Sequence, residues 1–201
     1  DGQPYRGQFG IAGEFGHMQV VPGGNQCECG NTGCWEQYAS GRVLMRRARA
    51  AAEEGTELGL KMLAEAGAID RIEGSLVTQQ AKAGDAEATE WIADVGDWLG
   101  VGIANLAAAL DPGMFVIGGG VSDAGDLLIG PARAAFSRTL TGRGYRAEAR
   151  IVRAHLGPEA GLIGAADMAR LTARRRRPAN PSARARVRAA AKSSRSPRRR
   201  R

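Results

Sequence analysis

GEFGHMQVVPGGNQCECGNTGCWEQYASG, residues 13–41, is the stretch on which the reading of this 201-residue chain turns. It holds all three cysteines, Cys27, Cys29 and Cys34, and His17, one of two histidines. One imidazole and three thiolates make a complete tetrahedral donor set for zinc, a borderline-soft ion with no geometric preference from its d-electrons. Four protein ligands leave no open position, so the expected ion shapes the protein rather than activating water. The competing reading is three clustered free thiols, or one disulfide with a thiol left over. The odd cysteine count and the Gly23-Gly24, Gly30 and Gly33 turns, which let a loop fold around an ion, favour the metal. Glu14 and Glu36 stand just outside the ligand set on either side. Spacing alone leaves them either as solvated surface acids or as carboxylates that accept from hydroxyls.

Gly13-Glu14-Phe15-Gly16-His17, followed by Cys27-x-Cys29-Gly30-x-x-Gly33-Cys34-Trp35-Glu36, resembles the signature of the ROK family of bacterial sugar kinases and sugar-responsive repressors. Trp35-Glu36-Gln37-Tyr38-Ala39-Ser40-Gly41 looks most like the glucokinases of actinobacteria within it. The similarity continues through Asp111-Pro112, Ile117-Gly118-Gly119-Gly120-Val121-Ser122 and Ala160-Gly161-Leu162-Ile163-Gly164-Ala165-Ala166, covering residues 1–172. It implies an α/β, actin-like ATPase fold, a pair of ribonuclease-H-like domains closing over a cleft, with this chain supplying mainly the second. It further implies ATP-dependent phosphorylation of the glucose 6-hydroxyl, with Mg2+ at the phosphates and a homo-oligomeric full-length protein. A sugar-sensing repressor, or a kinase for N-acetylmannosamine or fructose, is the alternative within the same family.

The resemblance also assigns residues. His17 would both ligate zinc and touch sugar hydroxyls, the metal fixing one ring nitrogen so that the other points outward as a donor. Glu14 and Glu36 match the family's two sugar-contacting glutamates. Gly118, Gly119 and Gly120, within residues 117–122, match the adenosine-side motif. Read from the residues alone, that glycine run is a tight strand-to-helix turn or a place where backbone approaches a nucleotide. Asp111, before Pro112 at a helix end, reads as structural, and His155 as a packed or surface residue.

Sequences of this family begin with a phosphate-binding hairpin, then carry a catalytic Asp and a second glycine-rich phosphate loop. None is expected in this chain, which opens at Asp1-Gly2. It therefore reads as the C-terminal half of a kinase, a fragment or a mis-called reading frame. Phosphoryl transfer needs positioned phosphates and an acceptor for the hydroxyl proton. The chain is accordingly expected not to turn over by itself.

With 43% apolar residues, the chain can bury one domain-sized core. Its charge is divided unevenly. Of 28 basic residues, 13 lie between Arg174 and Arg201, where no acid occurs; 15 basic residues remain against 21 acidic ones. The body is acidic and only the tail is basic. Residues 173–201, with one valine and three prolines, cannot offset the entropy of ordering and are expected to be disordered. A solvated extension is favoured there over non-specific nucleic-acid binding, because no aromatic side chain is present for base stacking. No apolar run is long enough to span a membrane and no signal-peptide pattern opens the chain. Clustered thiols point to a reducing cytoplasm.

The coarse pattern predicts helices over residues 35–54, 75–83 and 85–110, with short helical pieces in 55–74 and a turn at Gly84-Asp85 whose Asp caps the helix that follows. Ala88, Ile92, Val95, Leu99, Ile103, Leu106 and Leu110 form one apolar stripe and read as core. A short buried strand is expected at 114–117, a helix at 123–140, a strand at 149–154 and a last helix at 159–171. Alternating strands and helices indicate an α/β layer architecture.

Overall fold

The computed structural model describes residues 4–176. Residues Asp1–Ala160 group as one compact unit and Gly161–Arg201 as a second. The first unit begins with the cysteine loop, which leads into α1 (Gly41–Glu54), α2 (Glu57–Ala66), α3 (Gly74–Lys82) and α4 (Ala86–Leu110). Strand β1 (Met114–Ile117), helix α5 (Asp126–Thr139) and strand β2 (Arg150–Arg153) complete it. β1 and β2 run parallel, Met114 opposite Arg150 and Ile117 opposite Arg153, with α5 as the crossover. The fold is thus α/β but mostly helical, and no helix among the described residues is long and apolar enough to cross a membrane.

α4 organises this unit. Asp85 Oδ1 accepts from the Ala88 N–H at 2.9 Å and caps it, as the sequence pattern anticipates. Its inner face joins two cores, Ile92 and Val95 with Leu44, Met62, Ile72 and Val77, then Ile103 and Ala107 with Phe136, Leu140 and Ile151. The expected stripe holds up to Ile103, but Leu110 is exposed and Ala107 is buried instead. A helix advances 100° per residue, so a face read over seven turns drifts. α5 crosses α4 at backbone contact: a Cβ on Gly100 would lie 2.3 Å from the Ala132 carbonyl oxygen.

Several expected elements differ in detail. Residues 35–54 are not one helix: Trp35–Gln37 is a 3-10 turn, Ser40 is extended, and α1 starts at Gly41. Residues 55–74 hold α2, started by Thr56, whose side chain accepts from Gly59 N–H, and ended by Gly67 at φ 78°. A 3-10 turn, Gly120–Ala124, separates the glycine run from α5. β1 is not a buried strand: Phe115 and Ile117 pack on the second core, whereas Met114 and Val116 are exposed. Only one of its faces is covered, the alternation of a half-buried strand. α6 (Ala160–Arg176) runs past residue 172 into the segment expected to be disordered, a stretch of Ala and Arg with high helix propensity. The rest of the predicted disordered tail lies outside the described residues.

Candidate metal centre and adjoining cleft

The cysteine loop is folded by its own backbone. Val20 and Val21 N–H both donate to the Gly33 carbonyl, Gly33 N–H donates to Asn25, and Cys27 N–H donates to Asn31 at 2.8 Å. Gly33 has φ 73°, and a Cβ there would sit 1.6 Å from the Val21 carbonyl oxygen, so only glycine fits. These bonds return Cys34 beside Gln19 and bring His17 against Cys27. The loop is tied to the body by Tyr38. Its hydroxyl accepts from Asn25 N–H, and its ring lies 4.8 Å from that of Trp98.

The four expected ligands converge. Their donor atoms all lie within 4.8 Å of one another. Cys27 Sγ is 3.5 Å from His17 Nδ1, and Cys29 Sγ is 3.6 Å from Cys34 Sγ. Zinc bonded to three sulfurs and one imidazole nitrogen requires ligand-to-ligand edges of about 3.5–3.8 Å. Donor types and number therefore fit such an ion, these two edges match it, and the three thiols are free of disulfides. Cys27 and Cys34 are buried, and Cys29 is exposed. Cys29 and Cys34 differ in acidity. Burial pushes Cys34 up to about 12, whereas the Asn31 backbone N–H holds Cys29 below the usual thiol value. The hydrogen bond with Cys27, followed by the charge of Glu36, raises His17.

His17 is flanked by both glutamates. Its Nδ1 faces Cys27 and lies 3.7 Å from Glu36 Oε1, while Nε2 faces outward, 3.9 Å from Glu14 Oε2. With Nδ1 turned to the thiols, Nε2 is the nitrogen free to donate toward the open side. Glu36 Oε1 also accepts from the Cys27 thiol at 3.1 Å. Ser40 Oγ donates to the Glu36 carbonyl at 2.6 Å, securing the turn that carries this carboxylate. Trp35, its neighbour, donates its indole N–H to the Trp98 carbonyl at 2.7 Å.

Glu36 also lines a cleft of about 680 Å³ whose lining includes Gly118, Gly119 and Gly120. The glycines leave β1 with Gly119 at φ 84°, and Ser122 Oγ closes the turn by donating to the Gly119 carbonyl. Acidic side chains and a bare backbone turn thus line one space of small-molecule dimensions.

The family profile described as "ROK family" matches residues 1–172. The chain belongs to the ROK family. Among ROK relatives, the glucokinase of Streptomyces coelicolor is 46% identical over 166 residues, 82% of this chain and 52% of that protein. The crystal structure of a ROK family glucokinase from Streptomyces griseus in complex with glucose and AMPPNP aligns at TM-score 0.75 and 46% identity. It covers 84% of this chain and 55% of that one. The DNA-binding transcriptional dual regulator NagC of Escherichia coli is 30% identical over 156 residues, 78% of this chain and 36% of NagC. The chain spans about half the length of the glucokinases it matches. The fold of these ROK neighbours is the actin-like ATPase fold expected from the sequence.

Within this ROK chain the structure brings together every residue expected at the sugar and metal end, Glu14, His17, Cys27, Cys29, Cys34 and Glu36. Asp111 takes the left-handed conformation at the end of α4 and pairs with Arg146. His155 is exposed. Sequence reading missed Arg42, Glu73 and Thr78, which also line the cleft, and Arg46, which donates to Gln37 Oε1 at 2.9 Å and to its carbonyl at 3.1 Å. The only available signal for the arginines was their spacing of four on α1, which puts both on one face.

Proposed function

We propose that this chain forms the zinc-bearing, sugar- and nucleotide-binding half of a ROK glucokinase, which phosphorylates the glucose 6-hydroxyl with ATP and Mg2+. The observation that carries the reading is that Glu36, beside the His17–cysteine cluster, lines the same cleft as Gly118, Gly119 and Gly120. Similarity at 46% identity to Streptomyces glucokinases, one of them crystallised with glucose and AMPPNP, supports glucose and ATP as its ligands.

His17, Cys27, Cys29 and Cys34 would hold the zinc, which when bound supplies structural cross-linking and a fixed His17 tautomer. His17 Nε2–H then donates to one sugar hydroxyl, while Glu14 and Glu36 accept from others, each carboxylate oxygen having lone pairs for the task. The glycine turn lets the adenosine end lie against backbone. These residues bind and orient; proton removal from the hydroxyl is assigned to none of them.

Calorimetric titration of the zinc-loaded chain with glucose, and separately with AMPPNP, tests the proposal. Binding of both is expected. A chain that takes up glucose but no nucleotide would instead favour a sugar-sensing repressor, the reading supported by the NagC match. A preference for N-acetylmannosamine or fructose over glucose would revise the substrate and keep the kinase.

A further inference from the structure

We infer that Arg42 is a phosphoryl-binding residue of the cleft, paired with Glu28 of the cysteine loop until phosphate oxygens take its place. This rests on the reading of the cleft as the meeting place of sugar and nucleotide, and it names the group that meets the phosphoryl between them.

Three charged residues line the cleft among the described residues: Glu36, Glu73 and Arg42. The two carboxylates repel a phosphate, so the guanidinium is the lining side chain that attracts one, and its planar fork matches phosphate oxygens. Its position is fixed by its neighbour. Gly41 begins α1 so close to the glycine turn that a Cβ there would lie 2.9 Å from Val121 Cγ2. Arg42 therefore springs from backbone beside Val121 and lines the same space as Glu36 and Gly118, Gly119 and Gly120.

Its donors are largely unspent. Among the described residues Arg42 makes one side-chain hydrogen bond, Nη1 donating to Glu28 Oε2 at 2.8 Å, although a guanidinium carries five N–H groups. The pair is exposed on both sides, 57% for Arg42 and 80% for Glu28. Exposed ion pairs of this kind contribute little, and a phosphate offering two acceptor oxygens competes well for the arginine. Arg46, one turn further along α1, makes the contrast: both its terminal nitrogens are committed to Gln37. Because Glu28 lies between Cys27 and Cys29, capture of Arg42 by a ligand frees a carboxylate within the cysteine loop itself.

The test titrates the zinc-loaded 201-residue chain by calorimetry with glucose, glucose 6-phosphate and ATP–Mg2+ as separate probes. Arg42→Ala is expected to weaken at least one phosphorylated probe about tenfold, as for loss of a charge-assisted pair, and to leave glucose unchanged. Glu28→Gln, which removes the competing carboxylate, should tighten the same probe several-fold. That gain cannot come from a damaged fold. An effect on glucose 6-phosphate alone puts the guanidinium at the product phosphate, and an effect on ATP alone at the donor; both support the inference. Unchanged affinity of Arg42→Ala for both phosphorylated probes, or weakening by Glu28→Gln, overturns it. A wild-type chain that binds none of the three probes overturns the kinase reading itself. Binding of all three that is indifferent to Arg42 overturns only this assignment.

Discussion

Cys29 is the exposed thiol of a set whose other two members, Cys27 and Cys34, are buried. Its Sγ lies 3.6 Å from that of Cys34, so it stands as the outer donor of the candidate four-ligand set. Metal analysis is therefore expected to find about one zinc per wild-type chain and clearly less in Cys29→Ser after challenge with a chelator. Full retention of zinc and stability in that variant would remove Cys29 from the ligand set. Glu36→Gln separates the second role. It keeps the side-chain shape and the zinc but should weaken glucose at least about tenfold, the cost of a hydrogen bond to a charged group. Loss of zinc with unchanged sugar affinity would instead make Glu36 a support of the metal loop. The convergence of His17, Cys27, Cys29 and Cys34 was legible in the sequence because imidazole and thiols announce their chemistry wherever they stand. Arg42, Glu73 and Thr78 were not, since an arginine and a threonine on helices and an acid just before one are ordinary side chains until tertiary structure brings them to one cleft.

At the scale of elements, α4 was legible from its stripe and its Asp85 cap, because both are local. Asp85→Ala should cost about 1 kcal/mol by denaturant unfolding, the usual worth of such a cap. The break between Trp35 and α1 was illegible because its cause is not local. Trp35 seats its indole against Gly102 of α4, Ser40 turns back onto Glu36, and Gly41 packs on Val121. A Cβ at Gly102 would lie 1.9 Å from the Trp35 ring, so Gly102→Ala should destabilise by about 1–3 kcal/mol and perturb Trp35 fluorescence. Because the turn after Trp35 carries Glu36, the same variant should also weaken glucose. Wild-type stability and fluorescence in Gly102→Ala would show that the indole is not seated as described. The half-exposed β1 was misread because a short apolar run does not disclose whether one face or both are covered.

For the whole molecule, the fold class and the two stretches that line the cleft were each legible in the sequence, and their meeting in one cleft was not. Gly118, Gly119 and Gly120 stand more than eighty residues beyond Glu36 in the chain. They meet it only because α4 and the β1–α5–β2 unit return the chain to α1. The central claim is that the metal loop and the sugar edge are one device, His17 serving both through its two ring nitrogens. Glucose titration before and after zinc is stripped with a chelator, and again after zinc is restored, tests that claim directly. The account predicts that affinity is lost with the metal and returns with it; metal-free, folded protein that binds glucose as tightly as the zinc-loaded form would contradict it.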